Sequence, residues 1–100
     1  MPDASLLLAA KVRMPQHVVY RSFPSETVVL NLQTGKYHGL NATAGRMLEV
    51  LERADCVRDA AAELAVSYEQ AQSAIEADLC TLCSSLLERG LIETDGSSGP

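Results

Sequence analysis

The pattern of apolar and polar positions changes from strand-like to helix-like near Asn41. Before that residue, short runs rich in β-branched and apolar side chains occur at residues 18–21, 27–33 and 36–40. Runs of this kind, separated by turn residues, predict three short strands. Pro24 marks the first turn and the pair Thr34-Gly35 marks the second. We therefore expect a three-stranded antiparallel meander, with a two-residue turn at Thr34-Gly35 because glycine accepts a positive φ.

That turn predicts the register of the second hairpin. It places Leu32 opposite Tyr37 and Leu30 opposite Gly39, so that one face of the hairpin is apolar. His38 falls on the other face, which we expect to be solvated. No further strand follows residues 36–40 directly, so this strand is predicted to be an edge. An edge strand offers unpaired backbone N–H and C=O groups to an incoming peptide.

Beyond Asn41 the apolar positions recur at helical spacing. Three helices are predicted, over residues 42–54, 57–65 and 68–89, with Asn41 or Thr43 capping the first and Ser67 the third. Gly90 suits the end of the third helix. The buried stripe of that helix is expected to contain five residues: Ala71, Ile75, Leu79, Leu82 and Leu86.

Strands followed by helices predict an α+β fold. Three short-linked helices beside a three-stranded antiparallel sheet also describe a winged helix-turn-helix. Residues 1–15 lack clear periodicity and are expected to form a flexible arm. The domain is expected to span residues 16–93, and the polar residues 94–100 to form a disordered tail.

Composition and charge narrow the classes of function. The 100 residues suit one small domain, and only four aromatic side chains among 47% hydrophobic residues predict an aliphatic core. No apolar run approaches the roughly 20 residues that span a bilayer, and no signal peptide is expected, so the expected location is the cytoplasm. The net charge is +3 over residues 1–48 and −8 over residues 49–100. The acidic helical half argues against nucleic acid as a partner.

The side chains that could carry chemistry do not form a catalytic or metal-binding set. Cys80 and Cys83 form a C-x-x-C motif, but it lies inside the third helix rather than at a helix start, where the dipole would activate a thiol. A zinc site needs two more ligands, and Cys56, His17 and His38 supply no second close-spaced pair. We therefore expect no enzyme activity, no cofactor and no metal, and we interpret the cysteines as small apolar side chains.

Asp78 leaves two interpretations open. It lies beside the apolar stripe of the third helix, where an unpaired carboxylate would be costly. It is either a boundary residue in water or paired with an arginine, or an acceptor that lines a groove between the third helix and the edge strand. The small side chains of Ala71 and Ala74 would leave room in such a groove.

The segment Leu30-Asn-Leu-Gln-Thr-Gly-Lys-Tyr-His-Gly-Leu-Asn41 resembles the L-x-L-x-T-G-x-Y-x-x-L-N hairpin of the PqqD-like proteins. Further similarity lies in Val57 with Ala60-Ala61, in Asp78-Leu79 and in Gly90-Leu91-Ile92, and in all it covers about residues 16–93. The resemblance implies a winged helix of three strands and three helices. It also implies a recognition element for ribosomally made, post-translationally modified peptides, to which a leader peptide adds as a further strand.

From this resemblance we expect the leader to contact eight residues: Lys36, Tyr37, His38, Gly39, Leu40, Ala71, Ala74 and Asp78. A free-standing element of this size resembles the leader-binding protein of lasso-peptide pathways. Its partners would then be a leader-peptide cysteine protease subunit and an ATP-dependent cyclase. The alternative within the family is a peptide chaperone for a radical-SAM enzyme in quinone cofactor biosynthesis. Alternatives of another class are a winged-helix DNA-binding regulator and a minor redox or metal protein.

Overall fold

The computed structural model describes residues 4–95 of the chain. Three helices follow a three-stranded antiparallel sheet, which confirms the predicted α+β fold. A further helix and two short strands flank this unit. In chain order the elements are α1 (Ala4–Ala9), β1 (Lys11–Arg13), β2 (Val18–Ser22), β3 (Glu26–Asn31), β4 (Lys36–Asn41), α2 (Ala42–Arg53), α3 (Val57–Tyr68), α4 (Gln72–Glu88) and β5 (Glu93–Asp95).

The three-stranded sheet has the order β2-β3-β4 and packs one face against α2. Thr27, Val29 and Asn31 of β3 point to that covered face and are buried. Gly45 of α2 lies against Thr27 so closely that an added Cβ would collide with Thr27 Oγ1 and lie 2.7 Å from Thr27 Cβ. The missing side chain of Gly45 therefore sets the distance between α2 and the sheet.

The β3–β4 hairpin differs from its predicted register by two residues. Leu30 pairs with Tyr37, and His38 pairs with Val29 rather than with Asn31. The loop therefore has four residues, 32–35, and ends at Gly35 with φ 73°. Asn31 explains the longer loop, because its Oδ1 accepts hydrogen bonds from the backbone N–H groups of residues 33 and 34 at 2.9 and 3.3 Å.

After a shift of two residues, the same side chains of the hairpin still share each face of the sheet. The face that is buried against α2, however, is the one that carries His38, and not the one that was expected to be buried. His38 shares its face with the buried Val29 and is itself half-buried. Tyr37 and Leu32, on the other face, are 72% and 56% exposed. The expectation of a solvated His38 face was therefore wrong.

The predicted boundary between the second and third helices was also wrong. Ser67 lies inside α3, and the C-cap of this helix is Glu69, which adopts the left-handed conformation with φ 54°. The N–H of Gln70 closes this end by donating to Ala65 O at 3.0 Å. Ala71 is consequently the exposed N-cap of α4 and no member of the buried stripe, whereas Cys83 is buried in that stripe.

Residues 4–13 are folded, in contrast to the flexible arm expected over residues 1–15. Leu7, Ala10 and Val12 are buried in the common core, and their spacing spans a helix, a bend and a strand, which hides any single periodicity. The side-chain ammonium of Lys11 donates to Glu52 O and Ala54 O at 2.6 Å each, at the end of α2.

β1 pairs antiparallel with β5, so residues 94 and 95 of the predicted tail belong to a strand. The rest of that tail, residues 96–100, lies outside the described residues, as do residues 1–3. Among the residues that the structure describes, no helix has the length and apolar character needed to cross a membrane.

Candidate functional site

The hydrogen bonds at the two ends of the β2–β3 pair show which way the β3 backbone faces. The N–H of Leu32 donates to His17 O, and the N–H of Phe23 donates to Glu26 O, each at 2.7 Å. Directly opposed residues of an antiparallel pair alternate between bonded and non-bonded pairs. The even-numbered residues of β3 therefore bond to β2, and Thr27, Val29 and Asn31 direct their backbone groups to β4.

This alternation determines which backbone groups of β4 are free to bind a peptide. His38 and Leu40 lie opposite Val29 and Thr27, so their N–H and C=O groups point back into the sheet. Lys36 lies opposite Asn31, and its N–H donates to Thr34 Oγ1 in the loop at 3.2 Å. The backbone groups of Tyr37 and Gly39 point outward from the edge. The described residues place no strand beyond β4 in this sheet. The five predicted residues of the strand thus divide into two that present backbone groups and three that anchor the strand.

On the helical side, Ala71, Ala74 and Asp78 are all exposed on the first half of α4. α4 packs mainly on α3 and also on α1, whereas β4 packs on β3 and α2. The predicted residues therefore fall into two sets on elements that are not packed closely against each other. An open space between β4 and α4, lined by small side chains, is compatible with this packing, and the groove itself stays a prediction.

The cysteine pair of α4 has the environment of core residues. Burial and, to a smaller extent, the nearby Cys80 raise the pKa of the Cys83 thiol to about 12. Burial and the charge of Glu76 also raise the pKa of Cys80. High pKa values disfavour the thiolate, which is the reactive and metal-binding form. In residues 4–95, no group of three or more His, Cys, Asp or Glu side chains is placed to hold a metal ion.

Two carboxylates of α2 are bound to the sheet rather than free. Glu52 accepts a hydrogen bond from the Tyr20 hydroxyl at 2.6 Å, and Glu49 accepts one from the Ser22 hydroxyl at 2.7 Å. Burial, together with the hydrogen bond to Glu52 and the charges of both glutamates, raises the pKa of Tyr20 well above its usual value. These links join β2 to α2, and no sequence spacing signals them because the partners are 27 to 32 residues apart.

The face of the sheet that points away from α2 holds an open concavity of about 500 Å³. We define the outer sheet patch as the side chains that line it on this face: Val19, Arg21, Phe23, Val28, Leu30 and Tyr37. Val19 is 47% exposed and Phe23 49%. Sequence reasoning did not identify this patch because it assigned Leu30 to the inner side. The signal was present, since Val28 and Leu30 alternate with Thr27 and Val29 and make both faces of β3 apolar.

Comparisons with known proteins agree on the kind of domain. The sequence model of the family described as coenzyme PQQ synthesis protein D (PqqD) matches residues 26–92. A structure of TbiB1 in complex with the TbiA(beta) leader peptide is 28% identical, with a TM-score of 0.74. The match covers 81% of this chain and 94% of that one.

A second structure, lasso peptide synthetase B1 complexed with the leader peptide, is 26% identical and also has a TM-score of 0.74. Here the match covers 83% of this chain and 98% of the other. A search of the curated proteins found no match. The family match includes the β3–β4 hairpin and the whole of α4, the elements from which the site was predicted, and the chain belongs to the PqqD family.

Proposed function

We propose that this protein is a recognition element that binds the leader segment of a ribosomally made precursor peptide without modifying it. The observation that carries the proposal is the similarity to two leader-peptide complexes over more than nine-tenths of each of those chains. The geometry of β4 supports it, because an edge strand with outward backbone groups at Tyr37 and Gly39 can accept a further strand.

In this binding mode the backbone supplies affinity and the side chains supply specificity. A peptide strand paired with β4 alternates its side chains between the two faces of the sheet. The peptide residue opposite His38 would point to the side of the sheet that α2 covers. Ala74 and Asp78 of α4 would line its pocket, with Asp78 as a hydrogen-bond acceptor, and Ala71 would lie at the pocket's end.

A protein that binds the leader in this way can deliver the precursor peptide to an enzyme. A bound leader raises the effective concentration of the attached core peptide near an enzyme that holds both. We propose a leader-peptide cysteine protease subunit as that enzyme and an ATP-dependent cyclase as the next, in the cytoplasm where the precursor is made. The lasso pathway is favoured because one of the two matched leader-peptide complexes is that of a lasso peptide synthetase B1. The quinone cofactor pathway, with a radical-SAM partner, is the second candidate because of the description of the matching family.

A DNA-binding role has less support. A winged-helix protein that reads DNA needs a basic recognition helix. The helix in that position, α4, contains Glu76, Asp78 and Glu88 and neither lysine nor arginine. Repulsion of the phosphate backbone would oppose its insertion into a groove.

The decisive experiment removes one outward N–H from β4. Gly39→Pro deletes such a donor, and Gly39→Ala is the matched control that keeps it. The added Cβ of either variant meets only Glu26 Oε1, at 3.9 Å, so neither creates a clash there. We expect Gly39→Pro to weaken binding of a fluorescently labelled lasso leader by about 5- to 10-fold, the effect of one lost backbone hydrogen bond. Gly39→Ala should bind within about 2-fold of the wild-type protein.

Fluorescence polarisation gives the affinity, and circular dichroism shows that each variant is folded. His38→Pro provides a contrast, because its N–H points to β3 and its loss should destabilise the sheet itself. Equal affinity of folded Gly39→Pro and Gly39→Ala would place the peptide away from β4. A labelled quinone-pathway leader that binds more tightly than the lasso leader would favour the second candidate.

A further inference from the structure

The outer sheet patch has no role in the proposed binding of the leader. A strand added to β4 lies one strand spacing, about 4.8 Å, beyond it. Val19 lies on β2, on the far side of the three-stranded sheet, and Phe23 follows that strand. Both are therefore about three strand spacings, or roughly 14 Å, from an added peptide strand. Tyr37 alone lies on β4, so most of the patch stays open when a leader is bound.

No described element of the chain covers this patch. α2 occupies the opposite face of the sheet, and the patch leaves Phe23 about half exposed. A concave, contiguous apolar surface of this kind typically marks a site of interaction. Its width across three strands is about 10 Å, which is close to the diameter of one α-helix with its side chains.

The charge of Arg21 places a second requirement on a partner that would cover the patch. Arg21 lines the patch, and within residues 4–95 it forms no salt bridge. An apolar partner that buried this guanidinium without a carboxylate would leave a desolvated, unpaired charge. A second copy of this chain, docked through the same patch, would bring a second Arg21 into the contact. The patch therefore favours an amphipathic helix that carries an apolar stripe and an acidic residue.

We propose that the outer sheet patch docks such an acidic amphipathic helix of the enzyme that processes the bound peptide. The inference rests on the proposed function, because it identifies the enzyme as the receiver of the leader held at β4. Tyr37 connects the two sites: its backbone faces the added strand and its side chain belongs to the patch. The leader and the enzyme thus bind adjacent surfaces of one sheet at the same time.

Charge complementarity alone would suggest a different docking surface, formed by acidic side chains of α2 and the start of α3. This surface comprises Glu49 and Glu52 of α2, Asp55 in the turn that follows and Asp59 of α3. Two of its carboxylates accept hydrogen bonds from β2 and hold the sheet against the helix. A partner that drew those two carboxylates away would weaken the fold, whereas the outer sheet patch can be covered without breaking a bond.

The test compares one substitution at two exposed valines. Val19→Glu places a carboxylate in the patch, where it repels an acidic helix and pairs with Arg21 in the same chain. Val66→Glu makes the same change on α3, where the valine is 80% exposed and outside the patch. Phe23→Ser, in the turn after β2, is a second patch variant that leaves the strand pairing intact. Two probes are used: the labelled lasso leader and the purified leader-peptide protease of the same gene cluster.

We expect Val19→Glu and Phe23→Ser to weaken protease binding by at least about 10-fold, as loss of a central contact does. Leader affinity should stay within about 2-fold, and Val66→Glu should change neither. Protease affinity that is unchanged in both patch variants, or a wild-type protein that does not bind the protease, overturns the proposal. So does loss of leader affinity in the patch variants, which would make the peptide the occupant.

Sedimentation velocity tests whether a second copy of this chain occupies the outer sheet patch. A wild-type dimer that Val19→Glu dissociates would identify the patch as a contact between two copies and also overturn the proposal. Protease binding is measured without peptide, so its result is separate from the leader assay. A wild-type protein that binds the protease and not the leader would contradict the proposed function while leaving the docking surface supported.

Discussion

The Asn31 side chain determines the length of the loop between β3 and β4. Its Oδ1 accepts hydrogen bonds from the N–H groups of residues 33 and 34, which would otherwise be available to extend the strand ladder. Gly35 then ends the loop with a positive φ of 73°, and β4 begins at the next residue. One polar side chain thus decides where the pairing of the two strands stops.

Gly45 allows a direct test of the contact between α2 and the sheet. Gly45→Ala should lower the free energy of unfolding by about 1–3 kcal/mol, the usual cost of overpacking, because the new Cβ would collide with Thr27. An alanine that favoured the helix would contribute only about 1 kcal/mol in the other direction. Urea denaturation gives the difference. Gly39→Ala, whose Cβ has room, should change the stability little, and an equally large loss there would contradict the packing argument.

Tyr20 predicts a loss of stability at alkaline pH. Its folded-state pKa is raised above the unfolded value of 10.0, so the folded protein keeps a proton that the unfolded chain releases. The stabilisation is complete below about pH 10 and is lost as the pH rises through the raised pKa. Burial also raises the pKa values of Cys80 and Cys83, which act in the same direction. The wild-type protein should therefore unfold at lower urea at about pH 10.5 than at about pH 8.

Tyr20→Phe separates the tyrosine from the cysteines. The variant keeps both thiols, so its alkaline loss of stability should be smaller than that of the wild-type protein. An identical loss in the two proteins would mean that Tyr20 ionises in the fold as it does in the unfolded chain. The difference in tyrosinate absorbance between the wild-type protein and Tyr20→Phe, followed in the same pH range without urea, reports the pKa of Tyr20, because Tyr37 and Tyr68 absorb in both proteins.

Among the elements, the order of strands and helices was predictable, and the boundary between α3 and α4 was not. Alternation and helical spacing are local properties, and they identified β2, β3, β4 and α2 to within about two residues. The end of α3 depends on Glu69 adopting a left-handed conformation, which few residues other than glycine favour. The edge position of β4 could be predicted because no strand follows residues 36–40 directly, whereas the outward direction of the Tyr37 and Gly39 backbone groups required the observed hydrogen bonds.

The predicted groove beside α4 can be tested by enlarging one side chain. Ala74→Phe should fill the space proposed for a leader side chain and weaken leader binding by roughly 1–3 kcal/mol, or about 5- to 150-fold. Ala62→Phe is the matched control, an exposed alanine on α3. Fluorescence polarisation measures both. A folded Ala74→Phe protein that binds the leader as tightly as Ala62→Phe does would place the leader side chains away from α4.

For the whole molecule, the main departure from expectation is the contribution of the first described residues. Leu7, Ala10 and Val12 complete the core under α2 and α3, and the N–H of Val57 donates to Ala10 O at 3.0 Å. This part of the fold depends on contacts between distant parts of the chain, which no local pattern encodes. The predicted domain of residues 16–93 would lack these contacts.

Substitution of Lys11 measures how much the first described residues stabilise the fold. Lys11→Met keeps the apolar stem and removes the ammonium that binds two carbonyls at the negative end of α2. We expect a loss of about 1–2 kcal/mol in the free energy of unfolding. Lys36→Met removes an exposed lysine ammonium and should cost less than about 0.5 kcal/mol. Equal losses in the two variants would show that the Lys11 bonds do not stabilise the protein.

The pairing of β1 with β5 brings residues 11 and 95 side by side. Their Cα atoms lie about 5 Å apart, as in any antiparallel pair. The domain begins before this pair, because α1 precedes β1 and its Leu7 is buried in the core. α1 has six residues and is about 9 Å long, so the first and last described residues lie within roughly 20 Å of each other. A Gly-Ser linker of about ten residues can bridge such a distance, so the domain can be circularly permuted, or inserted into a surface loop of another protein, with α1 in place.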